Sequence, residues 1–385
     1  MSIKQTDERY IAHTYKRFDV TIVSGEGSYC YDDNGKRYID MTSGIGVNAF
    51  GYADPVWAKA VADQAKLLQH TSNLYYTAPC AELAEILCTR TGMSKVFFSN
   101  SGAEANECAI KVARKYAARA KGDEYYHIIT LNKSFHGRTL TTLAATGQES
   151  FHTQFTPLTE GFLYADANDI EGFERLVREN QVAGVLIETV QGEGGVNVLD
   201  ADYIRAVERV CRENDLILMI DEVQTGNGRT GKLYSYMHFG IRPDVVSTAK
   251  GLAAGLPMGA TLMSEKVADV LGYGDHGSTF GGNPICAAAA ISGLDRMDDA
   301  FLAQVAEKGR YVRERLEAAG FAVSGMGLMI GVETKKPVSE VLSSCMEKGV
   351  LCLSAKDKLR LLPPLNIPTQ VLSRAVDLIL EALSE

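Results

Sequence analysis

The chain of 385 residues has little of what several protein classes require. No stretch approaches the roughly 20 apolar residues that cross a bilayer, and the N-terminal MSIKQTDERY lacks the apolar run of a secretory signal. A net charge of −9 argues against a nucleic-acid surface, which requires clustered basic residues. We therefore expect a soluble, cytoplasmic protein that binds neither membranes nor nucleic acid.

Paired cysteines and metal-binding patterns are also missing. The eight cysteines are dispersed and include no C-x-x-C pair, and the seven histidines show no H-E-x-x-H spacing. This usage predicts reduced, mostly packed thiols rather than a disulfide framework. We expect no bound metal ion.

The periodicity of the apolar residues predicts an α/β protein. Between about residues 95 and 264, short apolar runs alternate with helical periods, which indicates a largely parallel sheet. The predicted strands are Val96–Phe98, His127–Leu131, Gly184–Glu188, Leu216–Asp221, Asp244–Ala249 and Ala260–Met263. After Pro284, helices and short strands predict a smaller α+β region.

The length of the chain suffices for a large and a smaller domain. We expect residues 46–284 to form the large domain and 285–385 the small C-terminal domain. Residues 1–45, with a predicted hairpin around Asn34-Gly35, are expected to join the small domain.

Three polar sites stand at the ends of predicted strands. Ser101-Gly102-Ala103 follows one strand and opens a helix, so free backbone N–H groups at the positive end of a helix dipole can receive a phosphate. Asp221 and Lys250 each end another strand, at the sheet edge where open α/β folds bind ligands. Alone, each site has an ordinary explanation: a capped helix, a structural carboxylate and a surface lysine.

Together, the three sites indicate one cofactor. A phosphate cradle, a lysine that forms an imine and an aspartate that keeps a ring nitrogen protonated are what pyridoxal 5'-phosphate requires. Burial lowers the pKa of a lysine, which is the condition for Schiff-base chemistry at Lys250.

A glycine-rich segment, Gly226–Lys232, offers an alternative. It matches G-x-G-x-x-G and most of a Walker pattern, which keeps a nucleotide hydrolase as a remote alternative. Leu233 stands where that pattern needs Ser or Thr, and no clear amphipathic helix follows. A glycine-rich turn is therefore the better interpretation.

Segments spread from about Ile11 to Pro364 resemble the class-III aminotransferases, which depend on pyridoxal phosphate. The segments are NSGAEANE, SFHGRTLTTLAATG, VQGEGG, DEVQTGNGRTGKL, STAKGLAAGLPMGA, HGSTFGGNP and RLLPPL. The resemblance implies a transferase of fold type I, with a mostly parallel seven-stranded sheet in the large domain and a smaller α+β domain. It also implies a homodimer with shared active sites.

The resemblance assigns the residues that contact the cofactor. Lys250 resembles the lysine that carries it as a Schiff base, and Asp221 the partner of the pyridine nitrogen. Ser101, Gly102 and Ala103 resemble the residues that bind the phosphate.

Four further residues complete the implied cofactor site. Phe135 and Val223 resemble the side chains on the two faces of the ring, and Gln224 the contact of its phenolic oxygen. Thr279 resembles a residue that reaches the phosphate in the neighbouring subunit.

The substrate contacts are implied in the same way. Arg138 and Arg360 resemble arginines that hold substrate carboxylates, a task suited to a bidentate guanidinium. Ser278 resembles a further substrate contact. Glu193 resembles a glutamate that pairs with Arg360 when the substrate has no α-carboxylate near the reacting carbon.

The resemblance is strongest to enzymes that act on N2-acetylornithine. It implies a ping-pong transamination to 2-oxoglutarate that yields N-acetylglutamate 5-semialdehyde and glutamate, in arginine biosynthesis. Ile45 stands where ornithine-specific relatives carry tyrosine, which favours the acetylated donor. Thr189 stands where many relatives have proline, and this position is not one of the implied cofactor residues. Succinylornithine, 4-aminobutyrate and ornithine stay open as alternative donors.

Overall fold

The computed structural model describes all 385 residues, Met1–Glu385. The N-terminal part contains α1 Ile3–Tyr10, β1 Ile22–Glu26, β2 Tyr29–Asp32, β3 Arg37–Asp40, α2 Ser43–Gly46, α3 Pro55–Leu67 and α4 Ala78–Thr91. The central part contains β4 Lys95–Ser99, α5 Gly102–Ala120, β5 His127–Leu131, α6 Leu140–Ala145, α7 Glu149–His152, β6 Phe162–Ala165, α8 Ile170–Glu179, β7 Val182–Ile187, β8 Val190–Gln191, β9 Asn197–Val198, α9 Ala201–Glu213, β10 Ile217–Asp221, β11 Val245–Thr248 and β12 Gly259–Met263. The C-terminal part contains α10 Pro284–Leu294, α11 Asp299–Ala318, β13 Val323–Met326, β14 Met329–Glu333, α12 Val338–Glu347, β15 Val350–Leu351, β16 Leu353–Ala355, β17 Lys358–Leu361 and α13 Thr369–Ser384.

The central sheet has seven strands in the order β4-β12-β11-β10-β7-β5-β6. Strand β12 runs antiparallel to both of its neighbours, and the other pairs are parallel. The predicted mostly parallel seven-stranded sheet is therefore confirmed. Each of the six predicted apolar runs lies on one strand, and the seventh, β6, was not predicted. Its four residues are mostly half-buried at the sheet edge, so they give a weak apolar signal.

Two apolar layers cover the faces of this sheet. On β10, Ile217 and Met219 pack toward the layer that contains the inner face of α5, while Leu218 and Ile220 pack toward the layer that contains α9. Strands covered on both faces are apolar along their whole length, because neither set of alternating side chains meets water. Polar groups are thereby left to the strand ends, where the candidate site lies.

Two smaller sheets join distant parts of the chain. Strand β15 pairs with β3 in the sheet β1-β2-β3-β15, so the N-terminal strands are tied to the C-terminal part. The antiparallel sheet β13-β14-β17-β16 lies beside α11 and α12. Helix α10 packs instead against α3 and α4. The division into residues 1–45, 46–284 and 285–385 stays a prediction.

All eight cysteines are free thiols, and five of them are buried. No helix combines the length and the apolar character needed to pass through a bilayer.

Candidate active site

The three strand-end sites come together at one edge of the central sheet. Strands β4, β10 and β11 run in the same direction, so their carboxyl ends meet there. The start of α5, Asp221 and Lys250 all line one cavity of about 490 Å³. This is the edge at which open α/β sheets bind ligands.

Nine of the thirteen predicted site residues line this cavity: Ser101, Gly102, Ala103, Phe135, Arg138, Asp221, Val223, Gln224 and Lys250. Glu193 and Arg360 lie beside it and reach it through Gln224. Ser278 and Thr279 belong to an exposed loop at its side.

The start of α5 has the geometry of a cradle for an anion. Ser101 caps the helix, and its hydroxyl accepts a hydrogen bond from the N–H of Glu104 at 3.2 Å. Gly102 and Ala103 occupy the first helical turn, where backbone N–H groups have no partner within the helix. A Cβ on Gly102 would lie 2.6 Å from Cγ1 of Val223, so only glycine fits there. The cradle suits a phosphate because free donors and the helix dipole act together.

Asp221 is held by three hydrogen-bond donors. Its Oδ2 accepts from Nδ2 of Asn106 at 2.7 Å and lies 2.8 Å from Nδ1 of His136, while its Oδ1 accepts from the N–H of Val223 at 2.9 Å. The amide of Asn106 is itself oriented by the hydroxyl of Ser247, which donates to its Oδ1. These contacts fix the carboxylate toward the cavity and leave Oδ1 able to accept one more hydrogen bond.

Three further residues that were not predicted from the sequence also line the cavity: Asn106, His136 and Glu188. The carboxylate of Glu188 accepts from the N–H groups of Phe135 and Gly192, at 3.0 and 3.1 Å. Burial raises the pKa of Glu188 to about 7. The rule that selected Asp221 would also have selected Glu188, since it follows a buried strand. Asn106 was detectable as a polar residue on the apolar face of α5.

Lys250 follows β11 in a strained conformation. Its φ of 45° is in the left-handed region, which costs a residue with a side chain about 1–2 kcal/mol. Asn227 fixes the strand end before it, with Nδ2 donating to the Thr248 hydroxyl and the Ala249 carbonyl at 2.9 and 3.0 Å. Burial lowers the pKa of Lys250, and the charge of Glu193 opposes this effect. The site therefore favours an uncharged, nucleophilic amine.

Phe135 and Val223 supply apolar surface on the cavity wall. The guanidinium of Arg138 lies over the rings of Phe135 and Phe151, 5.7 and 4.9 Å from the ring centres. Arg138 is exposed and forms no ion pair within the chain. It thus presents a free cation at the cavity.

Arg360 and Glu193 form an ion pair beside the cavity. Nη1 of Arg360 donates to Oε1 of Glu193 at 2.5 Å and to Oε1 of Gln224 at 3.1 Å. Nε2 of Gln224 donates to the same Glu193 oxygen at 3.2 Å. Burial acts to raise the pKa of Glu193, but the charge and hydrogen bond of Arg360 hold it below its usual value. The arginine side chain is only 3% exposed, whereas that of Glu193 is 30% exposed.

The loop with Ser278 and Thr279 is attached to the cavity through Asn100. Nδ2 of Asn100 donates to the hydroxyl of Ser278 at 3.0 Å. Thr279 is exposed and does not enter the cavity of its own chain. Phe280 in this loop is exposed, and so are Leu74, Tyr75 and Tyr76, which follow Asn73, a residue that donates to carbonyls of the loop.

The glycine-rich segment Gly226–Lys232 is a turn. It is buried apart from Lys232, and only a short 3-10 turn, Ser235–His238, follows it. A Cβ on Gly231 would lie 2.8 Å from Ala306 of α11, so the turn packs closely against that helix. No group of three or more His, Cys, Asp or Glu side chains is placed to hold a metal ion.

Comparison with known proteins gives consistent matches over the whole chain. The family model described as aminotransferase class-III matches residues 10–383. The chain is 50% identical to the acetylornithine aminotransferase of Haemophilus ducreyi, over 100% of this chain and 98% of that protein. The ornithine aminotransferase of Toxoplasma gondii has a similar structure, with a TM-score of 0.95, 30% identity and coverage of 99% and 94%. The N-acetylornithine aminotransferase of Stenotrophomonas maltophilia also has a similar structure, with a TM-score of 0.85 and 32% identity over 99% of this chain and 98% of that chain.

Proposed function

The chain belongs to the class-III aminotransferase family, and we propose that the terminal amine of N2-acetylornithine is its amino donor. The protein is an aminotransferase that depends on pyridoxal phosphate, and the family, fold and cofactor predictions are confirmed. The products are N-acetylglutamate 5-semialdehyde and, from 2-oxoglutarate, glutamate. The reaction belongs to arginine biosynthesis. The substrate assignment is supported mainly by the 50% identity to an acetylornithine aminotransferase over nearly the full length of both chains.

The residues at the cavity fit the cofactor. Bound pyridoxal phosphate supplies an aldehyde that exchanges with amines and a ring that withdraws electrons from the carbon bearing nitrogen. The α5 cradle matches its phosphate, the free acceptor capacity of Asp221 matches its ring nitrogen, and the amine of Lys250, whose pKa is lowered by burial, matches its aldehyde. Phe135 and Val223 would cover the ring.

Lys250 has two tasks in this proposal. Its Nζ would hold the cofactor. Once free, the same Nζ would accept a proton from the donor carbon that bears the amino group and pass that proton to the cofactor. An amine can accept that proton only when it is neutral. Burial, which lowers the pKa of Lys250, therefore serves the reaction directly.

Arg138 and Arg360 would bind carboxylates in the two half-reactions. Acetylornithine presents one distal carboxylate when its terminal amine reacts, and exposed Arg138 is free to bind it. Glutamate carries a second carboxylate, next to the reacting carbon, which requires Arg360. Since Arg360 is paired with Glu193, that pair has to open for glutamate and stays closed for acetylornithine.

The functional unit in this proposal is a cytoplasmic homodimer. The exposed apolar side chains around Ser278 and Thr279 would be covered by a second copy, because patches of this kind mark association surfaces. Asn73 supports the loop by donating to the Ser278 and Gly281 carbonyls, at 3.0 and 2.9 Å. Thr279 would then reach the phosphate held by the partner.

A half-reaction screen tests the substrate. The purified holoenzyme is mixed with N2-acetylornithine, N2-succinylornithine, ornithine or 4-aminobutyrate, and the absorbance of the bound cofactor is followed. We expect the highest kcat/KM for acetylornithine. A preference for ornithine or 4-aminobutyrate would refute acetylornithine as the amino donor but would not contradict the aminotransferase activity. Borohydride reduction and peptide mapping should place the cofactor on Lys250, and an adduct on another lysine would refute that role.

A further inference from the structure

Arg229, in the glycine-rich turn, is a buried arginine outside the cavity. It is 2% exposed and forms no ion pair with a carboxylate. Its Nη1 donates to the carbonyl oxygens of Leu328 and Pro363, at 3.2 and 2.5 Å. Its own carbonyl accepts from the N–H of Leu328 at 3.0 Å. A buried guanidinium that binds only backbone is costly, because two neutral acceptors compensate little of its desolvation.

The two carbonyls flank adjacent strands of the small antiparallel sheet: Leu328 directly precedes β14, and Pro363 lies two residues after the end of β17. Strands β14 and β17 pair with Ile330 opposite Leu361, and extending this register beyond the ladder would place Leu328 opposite Pro363. Arg229 thus joins both strands where their ladder ends. Arg360 lies on β17 only three residues before Pro363, or about 10 Å along the strand.

The same turn is also fixed to the cofactor side of the site. It starts two residues after Gln224, which accepts from Arg360. Asn227 in the turn binds Thr248 and Ala249, directly before Lys250. A Cβ on Gly228, whose φ is +86°, would lie 3.1 Å from Leu302, so the turn packs closely against α11. One closely packed turn therefore connects the end of β11, which leads to Lys250, with the strand that carries Arg360.

We propose that Arg229 is a positioning residue for Arg360: it holds β17 at the distance from Gln224 and Glu193 at which Arg360 can bind a substrate carboxylate. The inference rests on the proposed function, in which Arg360 binds only the dicarboxylate substrate. Disturbing Arg229 then affects the 2-oxoglutarate and glutamate half-reaction and spares the acetylornithine half-reaction. A merely structural arginine would weaken both half-reactions together with stability.

The test compares Arg229→Lys and Arg229→Gln holoenzymes in single half-reactions. Lysine keeps the charge but cannot reproduce the two-carbonyl contact, so the KM for 2-oxoglutarate should rise about tenfold, the loss expected for a charged hydrogen bond. The KM for acetylornithine should stay within about twofold, since Arg360 does not bind that substrate. Arg313→Lys is the matched control, because Arg313 also donates to a carbonyl of this sheet, that of Gly325, but away from β17. It should change neither constant.

A double-mutant cycle separates positioning from stability. In an Arg360→Ala background, Arg229→Lys should cause no further loss in the glutamate half-reaction, because the residue through which it acts is gone. Equal losses in both half-reactions, or a full additional loss in the Arg360→Ala background, would overturn the inference. If Arg229→Gln does not fold, Arg229→Lys alone decides. Wild-type turnover of acetylornithine decides the proposed function independently of either variant.

Discussion

The ion pair between Arg360 and Glu193 leads to a prediction about how the enzyme distinguishes its two substrates. Arg360→Ala removes a guanidinium that is 3% exposed and that would bind the second carboxylate of glutamate. Loss of a buried charged contact costs about 2–5 kcal/mol. We expect kcat/KM for glutamate to fall by roughly 30-fold to several thousand-fold. The acetylornithine half-reaction should lose less than about tenfold, because Glu193 occupies Arg360 during it.

Glu193→Gln should shift the ratio in the opposite direction. The amide cannot form the ion pair, so Arg360 is released for glutamate without a pair to break. Since Glu193 is 30% exposed, the pair contributes less than a fully buried one. We expect kcat/KM for glutamate to rise about tenfold relative to kcat/KM for acetylornithine, an effect between those of exposed and buried ion pairs.

Single-turnover kinetics of each half-reaction, read from the absorbance of the cofactor, measure both effects. Lys358→Ala is the matched control, because Lys358 is a basic residue on the same strand whose ammonium donates to Asn197 and Ser324 instead. It should leave the ratio unchanged. Equal losses in the two half-reactions for Arg360→Ala, or a shift of the same sign for both variants, would refute the switch.

Three further predictions concern other parts of the site. Asp221→Asn should retain the cofactor but slow both half-reactions by about 100-fold or more, since each pKa unit lost at the ring nitrogen is worth about 1.4 kcal/mol; near-normal turnover would show that Asp221 has another role. Burial raises the pKa of Glu188 to about 7, so the wild-type apoprotein should lose stability as the pH rises from about 4.5 to 7. Over that range, the free energy of unfolding of Glu188→Gln, measured with urea, should rise relative to that of the wild type by at most about 3 kcal/mol. A pH-independent difference between the two would contradict this. Thr279→Ala should weaken cofactor retention in the dimer, measured by dialysis and absorbance, and a verified monomer that is fully active at high dilution would exclude the shared site.

The local sequence determined the strands, the chemistry and the family. Strands covered on both faces must be apolar throughout, so six of the seven strands of the central sheet were visible as runs, and a polar residue at the end of such a run had to lie at the sheet edge. That rule selected Asp221 and Lys250, and the glycine-led helix start predicted a phosphate cradle at residues 101–103; all of these residues line one cavity. It found no signal for β6, whose half-buried residues at the edge break the pattern.

Only the tertiary structure decided which groups surround those residues. Asn106 and His136 reach Asp221 across 115 and 85 positions, and Arg360 reaches Glu193 across 167. Such contacts depend on the order and register of the strands. The local periodicity of apolar residues does not predict these, because the two partners of each contact are distant in the sequence and meet only after folding. The glycine-rich turn shows the same limit. Its sequence resembles a phosphate-binding loop, but the turn is buried against α11 and donates to the carbonyls of Leu328 and Pro363, so it links the central sheet to the small antiparallel sheet.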